Sequence, residues 1–163
     1  MPKASPLPDN PLLPENLSDE EYITAFLKEF GGAIGKTVFW TDVIGEIMPI
    51  NKDLFTARNG IIKVNKNGRG KYMRMLALGL IEPDEVWLSW KQDPLRKWVL
   101  QKRYIKIWDT TDGSHCLTIF DLDKSTWTGT TSFAPKDGYT EESKNKYLNK
   151  LREGLLLYKK SPK

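Results

Sequence analysis

Lysine and arginine side chains cluster where a glycine-broken segment leads into a helix, and this part of the chain is well suited to hold a phosphate. The segment is KVNKNGRGKYMRMLALGLIEPDEVWLSW, residues 63–90, in which an amphipathic pattern follows the cations. Helix starts present unpaired backbone N–H groups, and guanidinium groups bind phosphate oxygens in pairs. Arg69 lies on the apolar side of this pattern, so either the helix begins after it or its side chain reaches into a shared cavity. The segment therefore predicts an anion site.

The longest predicted strand alternates cations with apolar side chains, and its two faces suggest different uses. Lys102 and Lys106 share one face with Tyr104 and two tryptophans, a mixture typical of a solvent-facing surface that binds nucleic acid. An ordinary solvated face has the same composition. Arg103 lies on the other, more apolar face, where a guanidinium needs an anionic partner. It is predicted either to serve a substrate phosphate or to form a structural ion pair with Glu85 or another carboxylate.

Hydroxyl and imidazole groups supply further candidates. Residues 125–133, STWTGTTSF, form a threonine-rich strand whose hydroxyls could donate to a phosphate oxygen, although threonine is first of all a strand former. Gly129 in mid-strand predicts a bulge or the close approach of another backbone or ligand. His115 is the one imidazole and follows an Asp-Gly turn. It is predicted either as a general acid or base near neutral pH or as an exposed residue without a role.

Charge favours a polyanionic partner. The 163 residues carry a net charge of +4, with 25 basic and 21 acidic residues. Residues 1–30 hold 2 basic and 6 acidic residues, so the remainder holds 23 and 15 and carries +8. A basic body fits nucleic acid, although many solvated surfaces look alike.

Composition excludes several other classes of site. One cysteine allows no internal disulfide, and one histidine allows no zinc site built on Cys and His. No long apolar run or signal peptide is visible, so we expect a soluble, cytoplasmic protein that does not bind membranes. No Walker motif, dinucleotide fingerprint or two-metal acidic cluster is apparent. A phosphoryl-transfer enzyme made from these residues would need no metal and no cofactor, which suits RNA because its own 2′-hydroxyl is the nucleophile.

The elements that must position these groups follow from periodicity and end signals. Residues 1–16 are proline-rich and are predicted to be a linker, followed by one domain over residues 17–163. Helices are predicted after a capping box at Ser18, over Arg69–Leu80, and after Thr140 up to a stop at Gly154. Four strands form an antiparallel meander, and Leu155–Lys159 can add a terminal strand. The strands are Glu85–Lys91, Trp98–Trp108, His115–Leu122 and Ser125–Phe133. The predicted fold class is α+β, with helices on one face of the sheet and the other face open.

Over residues 37–159 the sequence resembles the phage-encoded barnase/EndoU/colicin/RelE-like (BECR) nuclease domain found at the C-terminus of Mu-like phage head morphogenesis proteins. The order and number of matching segments make the resemblance fairly specific. They are Trp40, Leu54-Phe55, Lys66-x-Gly68-Arg69-x-x-Tyr72, Pro83-Asp84-Glu85-Val86-Trp87, Arg103-Tyr104, Trp127-Thr128-Gly129-Thr130-Thr131-Ser132-Phe133 and Arg152-Glu153-Gly154-Leu155-Leu156-Leu157-Tyr158. The resemblance implies an RNase toxin fold of helices followed by a four-stranded antiparallel sheet.

The same resemblance implies a metal-independent endoribonuclease acting on tRNA or another structured RNA by 2′-OH attack. Arg69 and Arg103 would neutralise the scissile phosphate, Lys66 would orient it or pass a proton, and Thr131 would donate a hydrogen bond. His115 is a further candidate proton carrier, although it is incidental to the family pattern, as are Lys71 and Arg74. Substrate binding is predicted for Tyr104, Trp127, Lys102 and Arg152, with Tyr104 or Trp127 stacking a base.

The expected partners are RNA, an acidic immunity protein and a fused or associated phage head protein. We expect the domain to act in the cytoplasm of a host or target cell, or to be associated with the virion. The alternative function is a non-catalytic virion module that binds a partner protein or nucleic acid. A transferase built on a similar open cleft is a third possibility.

Overall fold

A six-stranded sheet forms the centre of the molecule in this computed structural model. The structure describes residues 5–56, 60–62, 64, 70–92, 95–109, 115–123, 126–133 and 141–161. The sheet contains β1 (Ser5–Pro6), β4 (Glu85–Gln92), β5 (Trp98–Asp109), β6 (His115–Asp123), β7 (Thr126–Phe133) and β8 (Leu155–Lys159). A separate two-stranded sheet pairs β2 (Val38–Thr41) with β3 (Ile47–Ile50). The helices are α1 (Asp19–Lys28), α2 (Met73–Ile81), α3 (Glu141–Leu151) and a short 3₁₀ turn, Lys52–Phe55.

The predicted meander is present, and it is extended at one edge. Strands follow the order β7-β6-β5-β4-β8, and every neighbouring pair in that order is antiparallel. The predicted terminal strand, β8, pairs with β4. One pairing departs from the expectation of a purely antiparallel sheet, because β1 runs parallel to the end of β5 at Trp108 and Asp109. The fold is therefore mixed α+β.

Both faces of the sheet are covered along part of their length, so the prediction of one open face is wrong. On one face, α1 and α2 enclose a core that includes Tyr104 and Phe120 of the sheet. Phe26 of α1 packs edge-on against Phe55 of the 3₁₀ turn and stacks on Phe120. On the opposite face, Leu148 of α3 is buried against apolar side chains of β5 and β6. The third helix was expected on the same side as the others, but its apolar stripe is satisfied by the second face.

The proline-rich N-terminal segment packs on the body over its described residues, which a free linker would not do. Its backbone forms β1, and the Leu13 N–H donates to Lys71 O at 2.9 Å. Arg74 of α2 also donates to the Asp9 and Asn10 carbonyl oxygens. Proline limits regular pairing within the segment, but it leaves carbonyl groups free to accept from the helix.

A local end signal explains where α1 begins. Ser18 caps α1 as predicted, because its hydroxyl accepts from the Glu21 N–H and the Glu21 carboxylate accepts from the Ser18 N–H. The second helix was predicted over Arg69–Leu80, but it begins at Met73, without a side-chain cap, and ends at Ile81. None of the helices in the described part of the chain combines the length and the apolar character needed to cross a bilayer.

Candidate functional site

Arg103 lies at the centre of the sheet, where the strand register gives it a carboxylate partner. It is directly opposite Asp121 of β6, so the two side chains share one face. The guanidinium donates twice, from Nε to Asp121 Oδ1 at 2.8 Å and from Nη2 to Oδ2 at 3.1 Å. These hydrogen bonds raise the pKa of Arg103 above its ordinary value, although burial opposes the effect. An ion pair of Arg103 was one predicted alternative, and its partner is Asp121 rather than Glu85.

A third hydrogen bond ties Arg103 to the end of α3. Its Nη1 group donates to the Leu151 carbonyl oxygen at 3.2 Å. Leu151 is the last residue of the helix, where carbonyl groups lack partners within the helix and carry partial negative charge. The helix end and the strand are therefore fixed to each other by one cation.

Arg152 follows Leu151 directly and holds a second carboxylate. Its Nε donates to Glu85 Oε1 at 2.7 Å, its Nη2 donates to Glu85 Oε2, and its Nη1 donates to Asn149 Oδ1 at 3.0 Å. Trp87 Nε1 also donates to Glu85 Oε1, at 2.9 Å. Burial would raise the pKa of Glu85, but the hydrogen bonds from Arg152 and Trp87 outweigh it and the pKa falls below its ordinary value. Glu85 is therefore ionised at neutral pH.

We call Arg103, Asp121, Arg152, Glu85 and Trp87 the paired-arginine cluster. Irregular strand pairing occurs next to both of its carboxylates. The register of β4 and β8 shifts between Val86 and Trp87. Between the pairs Phe120↔Thr130 and Leu122↔Trp127, Asp121 alone opposes two residues, Thr128 and Gly129. Bulges of this kind occur often beside active sites, and the bulge predicted at Gly129 is confirmed.

The cluster is partly open to solvent. The Arg103 side chain is 20% exposed and that of Arg152 is 22% exposed, whereas the Glu85 side chain is almost completely buried. Each guanidinium has five N–H donors, and the contacts above use three of them. A phosphate reaching the cluster therefore meets two oriented cations whose charges are already balanced by carboxylates.

Two residues predicted to bind substrate lie on the other face of the sheet and are buried. Tyr104 donates its hydroxyl hydrogen to Asp42 Oδ2 at 2.6 Å, and burial raises its pKa. Lys102 is paired with Asp42 and Glu46. The expectation that these side chains form a solvent-facing surface is wrong, because the β2–β3 hairpin supplies acidic partners that cover them. Tyr104 offers no free ring face on which a base could stack in this conformation.

A buried ion pair lies further along the same covered face. Lys106 Nζ is 3.7 Å from Asp84 Oδ1, and Asp84 Oδ2 accepts the Ile107 N–H at 2.8 Å. Burial raises the pKa of Asp84 and lowers that of Lys106, because each charged form loses its hydration. Both side chains are at most 3% exposed. The pair has no access to a substrate and has a structural role.

The remaining candidate residues are only partly described. Lys66 and Arg69 lie outside the described residues, so their predicted convergence with Arg103 stays a prediction. Thr131 pairs in register with Ile119, next to the row that contains Arg103 and Asp121. Trp127 pairs in register with Leu122.

His115 is not brought to the cluster. It opens β6 opposite Asp109, six residues before Asp121, a separation of about 20 Å along an extended strand. A phosphate in contact with Arg103 is therefore too far from His115 for direct proton transfer.

Sequence reasoning missed the partners that orient the arginines. Asp121 was not proposed as a site residue, although an acidic residue within the apolar stretch CLTIFDL was a usable signal. Pairing the two strands outward from the predicted Asp-Gly turn would have placed it opposite Arg103. Asn149 and the Leu151 carbonyl gave no such signal, because their contacts depend on how α3 packs.

The acidic groups of the described chain do not suggest a metal site. Within the described ranges, no group of three or more His, Cys, Asp or Glu side chains could hold a metal ion together. The two carboxylates of the paired-arginine cluster each already bind a guanidinium.

Comparison with known proteins gives one family match. A family model described as phage-Barnase-EndoU-ColicinE5/D-RelE like nuclease2 matches residues 25–159, which is most of the chain. The chain belongs to this nuclease family. No curated protein and no solved structure matches the chain significantly. The match begins within α1 and ends with β8, so the whole paired-arginine cluster lies within the nuclease family's part of the molecule.

Proposed function

We propose that the protein is a metal-independent endoribonuclease that cleaves by attack of the substrate's own 2′-hydroxyl. The products would be a 2′,3′-cyclic phosphate and a 5′-hydroxyl. Membership of a nuclease family supports phosphodiester cleavage. RNA suits the available residues, because its nucleophile is already present and the protein needs only cations and a route for a proton.

The paired-arginine cluster is the observation that carries this proposal. Arg103 and Arg152 are held in fixed orientations by Asp121 and Glu85, so little reorganisation is needed when charge develops on a phosphate. Their remaining N–H donors can face the non-bridging oxygens.

Other residues keep the roles that the family resemblance implies. Lys66 would orient the phosphate or pass a proton, Arg69 would share the charge stabilisation, and Thr131 would donate a hydrogen bond. The segment that holds Lys66 and Arg69 leads into α2, which packs on the opposite face from Arg103. An effect of Arg69→Ala equal to that of Arg103→Ala would therefore support a loop that reaches around the sheet to the cluster.

The decisive experiment is RNA cleavage in the presence of EDTA. Purified protein is incubated with total tRNA, and the new ends are tested for cyclic phosphate. We expect Arg103→Ala and Arg152→Ala to lower the rate about a hundredfold each, because each removes a cation that stabilises the transition state.

Arg74→Ala is the matched control, because Arg74 also forms a half-buried ion pair, with Glu29, but lies outside the cluster. Each variant is first checked for native secondary structure and cooperative thermal unfolding. Full activity in correctly folded Arg103→Ala would refute the assignment. Cleavage that requires added metal would refute the mechanism.

A second candidate function has one observation in its favour. Both arginines of the cluster are already balanced by carboxylates, as expected for a structural network. The alternative is therefore a non-catalytic virion module that binds a partner protein or packaged nucleic acid. Salt-sensitive binding of duplex DNA without any cleavage of RNA would favour it.

The biological setting is also part of the proposal. A toxin acting on tRNA in the cytoplasm of a host or target cell would need an acidic immunity protein as a neutralising partner. The word phage in the family's description supports an origin in a phage or prophage, where the domain would be fused to or associated with a head protein.

A further inference from the structure

Two tryptophans stand exposed at the end of the β4–β5 hairpin. Trp90 in β4 and Trp98 in β5 are each 64% exposed, and Leu100 beside them is also exposed. Large aromatic side chains are usually buried, because each removes much apolar surface from water. Neither the proposed reaction nor the core of the protein uses these two rings.

The register places the two rings on one face at a useful spacing. Trp90 is opposite Leu100, and Gln92 is opposite Trp98, so the tryptophans are diagonal neighbours across the two strands. Diagonal neighbours in an antiparallel pair are about 7–8 Å apart. A base stacked between two rings makes one van der Waals contact of roughly 3.5–4 Å on each side, which adds up to about the same distance. The spacing of the two positions is therefore of the size needed to admit one base between the rings.

The charge around this aromatic pair favours a polyanion. Residues 89–100, SWKQDPLRKWVL, contain three cations and one carboxylate in sequence. Arg96 is exposed in the turn that leads into Trp98, and Lys91 is exposed on the other face of β4 from Trp90. Basic groups that follow a strand's phosphates, together with aromatic rings that stack its bases, are the common means by which proteins bind single-stranded nucleic acid. An apolar protein partner would not need the cations.

We propose that Trp90 and Trp98 form a platform that binds a single-stranded segment of RNA; this platform rests on the proposed function. It lies on the opposite face of β4 and β5 from the paired-arginine cluster, since Trp90 and Trp87 are an odd number of residues apart. Trp98 is five residues from Arg103, about 16 Å along the strand. The platform anchors RNA beside the cleavage site, wrapped over the hairpin end, and takes no part in bond cleavage.

The test measures binding and cleavage separately. Fluorescence anisotropy follows a labelled single-stranded RNA of about 15 nucleotides whose 2′-hydroxyls are methylated, so that it cannot be cut. We expect Trp90→Ser and Trp98→Ser to weaken binding about tenfold each, because each removes a stacking partner. Phe39→Ser is the control, since Phe39 is an equally exposed aromatic residue, at 71%, on the separate β2–β3 hairpin. Its affinity for RNA should be unchanged.

Unchanged affinity in both tryptophan variants would overturn the platform, as would an equal loss in Phe39→Ser. If the tryptophan variants keep RNA affinity but convert a dimer into monomers in sedimentation, the patch is a protein-docking surface and the proposal is wrong.

A cleavage assay separates this failure from failure of the nuclease assignment. Cleavage of a dinucleotide, too short to reach the platform, should be unaffected in Trp90→Ser, while KM for a long substrate rises about tenfold. If the wild type cleaves RNA and the tryptophan variants bind it normally, only the platform proposal is refuted. If RNA binding depends on the tryptophans but the wild type cleaves no RNA, only the nuclease assignment is refuted.

Discussion

The two faces of the central sheet both carry paired cations, but the solvent exposure of these cations differs between the faces. On the face covered by α1 and α2, Lys106 and Asp84 form an ion pair that is almost completely buried. On the face contacted by α3, Arg103 and Arg152 also have carboxylate partners, Asp121 and Glu85. About a fifth of each arginine side chain remains exposed. Neighbouring residues of one strand, β5, supply cations to both faces.

This difference shows that cations with the same kind of carboxylate partner can differ in their access to a ligand. Both partners of a buried pair lose their hydration, and removing one partner leaves the other as an uncompensated buried charge. A half-exposed bidentate pair keeps an oriented cation within reach of a ligand. Exposure, together with the remaining donors, is the reason for proposing the paired-arginine cluster as the working face.

The largest effect should come from breaking the buried pair. Asp84→Ala leaves Lys106 as an unpaired buried cation and removes the acceptor of the Ile107 N–H. We expect a loss of about 3–5 kcal/mol in the free energy of unfolding, measured by urea denaturation. Glu142→Ala, at an exposed position in α3, should change it by less than about 0.5 kcal/mol. A loss below 1 kcal/mol for Asp84→Ala would mean that the two faces do not differ as described.

A smaller effect is expected where a buried hydrogen bond on the covered face is removed. Tyr104→Phe leaves Asp42 Oδ2 without the hydroxyl donor at 2.6 Å. The free energy of unfolding should fall by about 1–3 kcal/mol, because the buried acceptor loses a partner. KM for RNA should stay within a factor of two, since the ring is covered. A KM increase of tenfold or more would restore Tyr104 as a substrate-binding residue.

The smallest expected effect is the pH dependence of thermal stability that comes from Glu85 of the paired-arginine cluster. The pKa of Glu85 is below its ordinary value of 4.5 in the folded protein, so its ionisation stabilises the fold above pH 4.5 and this contribution is lost as pH falls through the folded pKa. Wild type should therefore exceed Glu85→Gln in Tm by a constant margin from pH 7 down to about 5. Below pH 4.5 the difference in Tm between wild type and Glu85→Gln should become smaller. A margin that stays constant down to pH 3 would contradict the lowered pKa of Glu85.

Features that depend on neighbours in the chain were predictable from the sequence. The Ser18 capping box, the order of strands β4 to β7 and the bulge at Gly129 all follow from short-range patterns, and the structure contains each of them. The sequence also proposes Arg103 and Arg152 as site residues; the structure brings both side chains to the end of α3, and their roles stay predictions.

Features that depend on distant packing were not predictable. Strand alternation shows that Lys102 and Tyr104 share a face, but it cannot show what covers that face. The covering group is Asp42, about 60 residues earlier in the chain. The sequence pattern of α3 also does not determine which face of the sheet it covers. Both faces of the sheet carry apolar residues, so the apolar stripe of the helix fits either one.

The adjacency of Leu151 and Arg152 couples both arginines to one point of the backbone. One residue supplies the carbonyl oxygen that holds Arg103, and the next supplies the guanidinium that holds Glu85. Tilting or unwinding the last turn of α3 would therefore displace both positive groups together.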